Sequence, residues 1–303
     1  MGNASFTDQM YASYKTLLFT LAYRMLGSVM DAEDIVHEAF LSYNAADSER
    51  IHNIKSYLCK IVTNRCIDRL RSSQKKRELY VGTWLPEPLV TGQSGSEDPY
   101  DAYARQESLS MAYLLLLQQL SWVERAVFLL REVLQYEYDE IAEIVGKSPA
   151  NCRQIFHRAR RSIKPPSTQQ EMGSSAADRL PKPQNDQLAD MVNQFVSALT
   201  KGDVGQLMHA LSHDAALYTD GGGKVSAAVL PILGPDRISR FFAGVLKKLQ
   251  PGFSYKTAMV NGQPGIVTYE HDSPASVFTF LIEDMRISAI YIVVNPDKLR
   301  HIR

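Results

Sequence analysis

Residues 136–164 read YEYDEIAEIVGKSPANCRQIFHRARRSIK, two short helical patterns about a glycine. The first runs from about Tyr138 to Val145, with Ile141, Ala142, Ile144 and Val145 on its apolar side. Gly146 stands where a helix ends in a left-handed residue, which glycine adopts without steric cost. Ser148-Pro149 restarts the chain: serine caps a helix, and proline tolerates the first helical position, where an N–H would be unpaired anyway. In the second helix Cys152, Ile155, Phe156, Ala159 and Ile163 recur at i, i+3, i+4, i+7 and i+11, one stripe fit for burial. Asn151, Arg153, Gln154, His157, Arg158, Arg160, Arg161 and Lys164 fill the remaining surface. From Arg153 to Lys164 there are five Lys or Arg and no acid. The pattern is a helix-turn-helix whose second helix suits a DNA major groove. It is also compatible with a plain helical hairpin carrying a solvated basic face.

The chain around it has 303 residues, enough for two or three domains with cores of their own. Net charge is zero, but it is unevenly spread. Lys55–Arg77 carries eight Lys or Arg against one acid, Asp68, whereas Asp31–Glu38 carries four acids and no Lys or Arg. Opposed patches of this kind suit a protein with several different partners. Cys59, Cys66 and Cys152 form no C-x-x-C pair and lie in helical patterns, so they read as reduced, packed thiols. Met1–Tyr14 is polar and no apolar run approaches the ~20 residues of a membrane span. A cytoplasmic protein without signal peptide, membrane contact, metal or cofactor is expected.

In chain order, Tyr11–Ser28 is helical, ending at Gly27. Asp31–Tyr43 is a second helix, which Asp31 can cap, with Ile35, Val36, Ala39, Phe40 and Tyr43 on one side and Asp31, Glu33, Asp34 and Glu38 on the other. Part of that acidity is what a helix dipole favours in a first turn. Asn44–Asn53 is a polar loop. In the long helix from Ile54 to about Arg77, Leu58, Val62, Cys66 and Leu70 point inward. Lys60, Asn64, Asp68, Arg71 and Lys75 share a polar face, either a nucleic-acid surface or a solvated one. Leu79–Pro99 breaks the helical texture. Its prolines oppose helix, and Tyr80, Val81, Trp84 and Leu85 are too apolar for a passive tether, so this extended linker should dock on a domain or partner. Tyr103–Leu117 and Ser121–Leu134 are helical, with Ser121 and Glu124 forming a capping box. Lys164–Asp186 is a Pro-, Ser- and Gln-rich linker.

From Asp186 the pattern changes. Helices are expected at Asp186–Leu199, Val204–Leu211 and Asp236–Leu249. Strands are expected at Ala215–Asp220 and Lys224–Val229 around Gly221-Gly222-Gly223, then at Phe253–Val260, Gly265–Glu270, Ala275–Ile282 and Ile287–Val294. Asn261-Gly262 and Glu283-Asp284 supply tight turns. The order describes one curved sheet wrapped against helices, an α+β domain.

The first 165 residues resemble a bacterial RNA polymerase sigma factor of the extracytoplasmic-function type. Residues 22–28 (AYRMLGS) with 31–40 (DAEDIVHEAF), then 56–58 (SYL) with 64–71 (NRCIDRLR), match that family's first conserved domain. Residues 140–144 (EIAEI) through 157–160 (HRAR) match its second. The tail resembles the SnoaL-like branch of the cone-shaped nuclear-transport-factor-type fold. That fusion, the linker Trp84-Leu85-Pro86-Glu87-Pro88, Asp220-Gly221-Gly222-Gly223-Lys224 and Asn295-Pro296-Asp297-Lys298-Leu299 together resemble the sigma-J-like subgroup with its C-terminal extension. The implied organisation is multidomain: an all-α sigma domain 2 over 1–79, a linker over 80–102, an all-α sigma domain 4 with the helix-turn-helix over 103–165, a flexible linker over 166–185, and an α+β cone over 186–303.

The resemblance implies roles. Asp31, Glu33, Asp34 and Glu38 would meet the β′ clamp helices of core RNA polymerase. The Asn44–Asn53 loop and the Ile54–Arg77 helix would open and hold the −10 promoter element, with Asn64, Asp68 and Arg71 on bases and Arg69 and Lys75 on phosphate; a flipped base costs a few kcal/mol to unstack. Asn151, Arg153, Gln154 and His157 would approach −35 base edges or phosphates, and Arg158 and Arg161 the backbone. The tail would be a built-in regulator acting through Trp84, Pro86, Asp220, Gly221, Gly222, Gly223, Lys224, Asn295, Pro296 and Asp297. Two rival readings stay open. The cone could hold a small ligand or be an enzyme, with Tyr218, Asp220, His209, His213, Tyr255 or Asp272 in acid/base roles. Alternatively, the chain could be a repressor that needs no polymerase.

Overall fold

The computed structural model describes residues 2–46, 51, 53–91, 110–163, 185–249 and 251–302. It divides into two compact units, one of residues 1–78 with 114–179 and one of residues 79–113 with 180–303.

The first unit opens with helices α1 (Gly2–Leu26), α2 (Val29–Asn44) and α3 (Ile54–Glu78). Leu18, Leu21, Ala22 and Met25 of α1, Ile35, Val36 and Ala39 of α2, and Leu58, Val62 and Cys66 of α3 are buried together. Gly27, at φ 68°, ends α1. Ser28, extended at φ −128° and ψ 124°, then caps α2 by accepting from Asp31 N–H. This corrects the expectation that Asp31 is the cap. Asp31 lies inside the first turn, and its carboxylate is taken up elsewhere.

Helices α4 (Met111–Gln118), α5 (Trp122–Glu132), α6 (Tyr138–Val145) and α7 (Pro149–Ile163) follow. The expected helix start at Tyr103 lies outside the described residues. The Ser121–Glu124 capping box forms at α5. Gly146 is left-handed at φ 65° after α6, and Ser148 Oγ accepts from Asn151 N–H at the start of α7. Cys152, Ile155, Phe156, Ala159 and Ile163 are all buried. Helix α5 also packs on α1 and α3. There buried Arg125 caps the α1 terminus by donating to the Met25 carbonyl, and it reaches Leu120 O at 3.3 Å. Arg77 donates to Leu26 O at 2.9 Å. These carbonyls are among those a helix end leaves unpaired. Burial pulls the Arg125 guanidinium down to about 10, and the nearby Arg77 charge adds to the effect.

The second unit is a seven-stranded sheet in the order β1-β4-β5-β6-β7-β2-β3. Its strands are β1 (Val90–Thr91), β2 (Leu211–Asp220), β3 (Ile232–Leu233), β4 (Phe253–Val260), β5 (Gln263–Glu270), β6 (Ser273–Glu283) and β7 (Arg286–Val293). Among the described residues only the β2–β7 pairing is parallel. Helices α8 (Asn185–Lys201), α9 (Val204–Ala210) and α10 (Pro235–Leu246) cover the curved face. Phe195, Phe242 and Phe280 meet edge-to-face at 5.3–5.6 Å in the core.

Two local expectations fail here. Lys224–Val229 is not a strand. Gly222 and Gly223 both have positive φ, and the N–H groups of Lys224 and Val225 fold back onto Gly221 O. The segment therefore stays a loop with Val225 and Val229 exposed, and the short partner of β2 forms later, at Ile232–Leu233. The last hairpin turns at Asp284 and Met285, φ 49° and 58°, rather than at Glu283-Asp284. Asn261-Gly262 turns as expected, both with positive φ.

Candidate functional site

The residues named above lie on three surfaces. The first is α7. Asn151, Arg153, Gln154, His157, Arg158 and Arg161 are all exposed, on the side opposite the buried stripe. The Arg153 guanidinium lies over the Tyr138 ring at 5.0 Å. Arg158 Nε is 4.0 Å from Glu124.

The second is α3, where Lys60, Asn64, Asp68, Arg71 and Lys75 are all exposed. Arg71 lies 3.7 Å from Asp68 and over the Trp122 ring at 5.7 Å. Arg69 departs from this face. It turns toward α2 and pairs with Asp31 at 2.7 Å. Arg65 likewise pairs with Glu38. Two of the four acids of α2 are thus engaged by arginines of α3, while Asp34 and Glu33 are exposed. Five of the ten residues of the Asn44–Asn53 loop lie outside the described residues.

The third surface is a clamp on the linker, built within the second unit. Asp220, at the end of β2, is fully buried. Its carboxylate accepts from Tyr80 Oη at 2.5 Å, Leu85 N–H at 2.8 Å and Lys298 Nζ at 2.7 Å. Lys298 Nζ also donates to Leu85 O and stands over the rings of Trp84 at 3.9 Å and Tyr80 at 5.1 Å. Asn295 Nδ2 donates to Tyr80 Oη at 2.8 Å, and the N–H groups of Val294 and Asn295 both bond Asp220 O. Burial raises the Tyr80 phenol's pKa, and its hydrogen bond to the Asp220 carboxylate and that group's charge raise it further. Leu85–Leu89 are buried. Leu89 exchanges hydrogen bonds with Asn261, and His301 Nε2 meets Pro88 O at 2.8 Å. Lys224 pairs with Asp297, lowering the Asp297 pKa.

The structure therefore brings Trp84, Asp220, Gly222, Gly223 and Asn295 to one place, docks Tyr80 and Leu85 there as the linker's apolar character led one to expect, and adds Lys298, Asn261 and His301, for which no role was expected. Lys298 lies inside the quoted segment 295–299, so its signal was present. Gly222 leaves no room for a side chain as the clamp stands: a Cβ would fall 2.2 Å from Asn295 Nδ2 and 3.0 Å from Tyr80 Oη.

The acid/base candidates of the cone do not converge. Tyr218 stacks on Tyr291 at 5.3 Å and Asp220 belongs to the clamp. His209, His213, Tyr255 and Asp272 are exposed on α9, β2, β4 and the β5–β6 turn. A cleft of about 700 Å³ lies between α8, α10 and β4, and Tyr255 lines it. No group of three or more His, Cys, Asp or Glu among the described residues is placed to hold a metal ion. No helix among them is long and apolar enough to cross a membrane.

Helix-turn-helix, basic α3 and acidic α2 together define a promoter-recognition protein. Residues 10–76 match Sigma-70 region 2 and residues 110–163 match Sigma-70, region 4. The ECF RNA polymerase sigma factor SigJ of Mycobacterium tuberculosis is 32% identical over 291 residues, 93% of this chain and 89% of that one. The probable ECF sigma factor SigI of the same species is 27% identical over 300 residues, 97% and 94% of the two chains. The crystal structure of M. tuberculosis SigJ superposes with a TM-score of 0.75 at 28% identity, covering 96% of this chain and 97% of that one. The chain belongs to the extracytoplasmic-function RNA polymerase sigma factors, which direct polymerase to promoters for transcription initiation, and it carries a C-terminal α+β domain built on one seven-stranded sheet.

Proposed function

We propose that the cone is a built-in regulator of a cytoplasmic sigma factor and that it acts by gripping the linker that joins sigma regions 2 and 4. The observation that carries this is the clamp: Lys298 and Asp220 hold both the N–H and the C=O of Leu85. Tyr80, two residues beyond the end of α3, is held by Asp220 and Asn295. The linker joins the two sigma regions, so a domain that holds it can set their separation. A fused partner acts at an effective concentration near millimolar, so modest contacts suffice.

Within the sigma regions, Asp34 and Glu33 on α2 face the basic clamp helices of polymerase β′. On α3, Asn64, Asp68 and Arg71 hold the opened −10 strand and Lys75 its phosphate. Helix α7 reads the −35 duplex. Run-off transcription with purified core polymerase tests this, comparing the full chain with one truncated at Pro165. Truncation should alter the amount of promoter-specific transcript while keeping its start site. Deletion from Asn295 onward should have the same effect in a reporter assay, since it removes Asn295 and Lys298 from the clamp. Identical output from both deletions and the full chain would reject the regulator. Transcript without start-site selectivity would reject the sigma assignment of these surfaces. A second reading, in which the cone also senses a small molecule, draws on the cleft between α8, α10 and β4, where Leu199, Leu246 and Phe253 supply an apolar lining.

A further inference from the structure

Arg153 is the one exposed cation of the α7 reading face with an aromatic platform in the described structure. Its guanidinium lies over Tyr138 at 5.0 Å, and that ring also carries Arg131 at 4.8 Å. Tyr138 itself is fixed. It meets Phe156 edge-to-face at 6.3 Å, and Phe156 is buried against Phe128 at 6.0 Å. Arg131 is anchored in turn by Tyr136 O at 2.7 Å and Glu137 at 3.0 Å. The result is a stack running from the unit's core to the first turns of α7.

Such a stack changes what an arginine can do. A guanidinium resting on a ring keeps its N–H edge available, and it has already given up much of the rotamer freedom that a free side chain loses on forming paired hydrogen bonds. The base that accepts two parallel N–H bonds in the major groove is guanine, through O6 and N7. Residues near the start of a recognition helix are the ones that reach base edges. Arg158, near Glu124, and Arg161 sit one and two turns further along and suit the backbone.

We propose that Tyr138 is a positioning residue for −35 recognition: it holds Arg153 so that its N–H edge selects guanine at one position of the element. This rests on the reading that α7 enters the −35 duplex, and it adds the base and the residue that enforces it.

The test uses the full chain with core polymerase on promoters in which each −35 position is varied in turn. Wild type should prefer G·C at one position by roughly tenfold, and Arg153→Ala should abolish that preference. Tyr138→Leu keeps apolar bulk against Phe156 but removes the platform. It should cut the preference at that same position to roughly threefold or less, with other positions and the salt dependence of binding unchanged. Tyr138→Phe should behave as wild type, which separates the ring's role from any hydroxyl contact and shows that the position tolerates substitution. The proposal is overturned if Tyr138→Leu keeps the full preference, or if it weakens all promoters equally. If Arg153→Ala leaves every preference intact while Gln154→Ala or His157→Ala shifts one, the proposal fails and the −35 reading stands. If no substitution on α7 alters −35 dependence, the reading itself fails.

Discussion

Lys298→Met removes the cation from the clamp and leaves the Asp220 carboxylate buried. Its two remaining donors, Tyr80 Oη at 2.5 Å and Leu85 N–H at 2.8 Å, solvate it only in part. Breaking a buried pair from one side costs about 3–5 kcal/mol because the other charge stays uncompensated. The orphaned Leu85 carbonyl and the lost stacking on Trp84, at 3.9 Å, fall within the same range. Met retains most of the stem's packing, so this loss is electrostatic. A cost of 3 kcal/mol shifts docking more than 100-fold toward the released linker. The chain has two tryptophans, and Trp122 lies in the other unit. In a Trp122→Phe background Trp84 therefore reports the clamp alone, a necessary choice where two units need not unfold together. Urea titration followed by Trp84 emission should show a weaker transition in Lys298→Met. Asp220→Asn combined with Lys298→Met should cost at least about 2 kcal/mol less than the two single effects added. A shift below about 1 kcal/mol, or strict additivity, would refute the clamp as the element holding the linker.

Three further outcomes are expected. Gly222→Ala must hold a left-handed backbone at φ 59° and place its Cβ against Asn295, costing about 1–2 kcal/mol for the conformation and about 1–3 for the crowding; a melting temperature like wild type's would contradict the packing described. The Tyr80 phenol is raised in the folded state, so its contribution is complete below its ordinary value of about 10 and is lost as pH rises beyond it. Urea midpoints should therefore fall in alkali, less steeply in Tyr80→Phe, and equal slopes for the two proteins would argue against it. Asp34→Lys should weaken binding to core polymerase by about tenfold, or ~1.4 kcal/mol, at unchanged thermal stability, whereas Asp31→Asn should act on stability through Arg69; undiminished polymerase affinity in Asp34→Lys would remove α2's outer face from that interface.

What could be read from the sequence was local. The stripe from Cys152 to Ile163, Gly146 and the Ser121–Glu124 box each depend on residues within a turn or two of one another, so periodicity and cap chemistry sufficed. The pairing of Asp31 with Arg69 spans 38 residues and that of Asp220 with Lys298 spans 78. No local pattern distinguishes an acid that faces a partner from one that faces its own neighbouring helix. Lys224–Val229 looked like a strand because its valines suit one, but the N–H groups of Lys224 and Val225 are taken up within the turn by Gly221 O. Val90–Thr91 could not be seen at all, since two residues have no period; it exists because β4 offers Met259 and Val260 as partners.

Why an ion pair should hold a linker whose own residues would bury readily is the remaining question. Leu85, Pro86, Pro88 and Leu89 already supply apolar contact, and replacing a buried pair with apolar groups is often neutral or stabilising. Apolar contact alone, however, does not fix register, because a strap of leucines and prolines can slide by a residue at little cost. The pair removes that freedom at Leu85, as the Leu89–Asn261 bonds and the β1–β4 ladder do further along. Asp220 accepts from the Leu85 N–H and Lys298 donates to the Leu85 C=O, so both backbone groups of one residue are matched at once. Pro86 and Pro88, on either side of Glu87, have no N–H to offer Asp220, and a shift that brought either into Leu85's place would leave a buried carboxylate short of a donor. A domain that regulates by setting the length of a linker needs a fixed point along it more than it needs tight binding, and the double substitution at Asp220 and Lys298 separates those two properties.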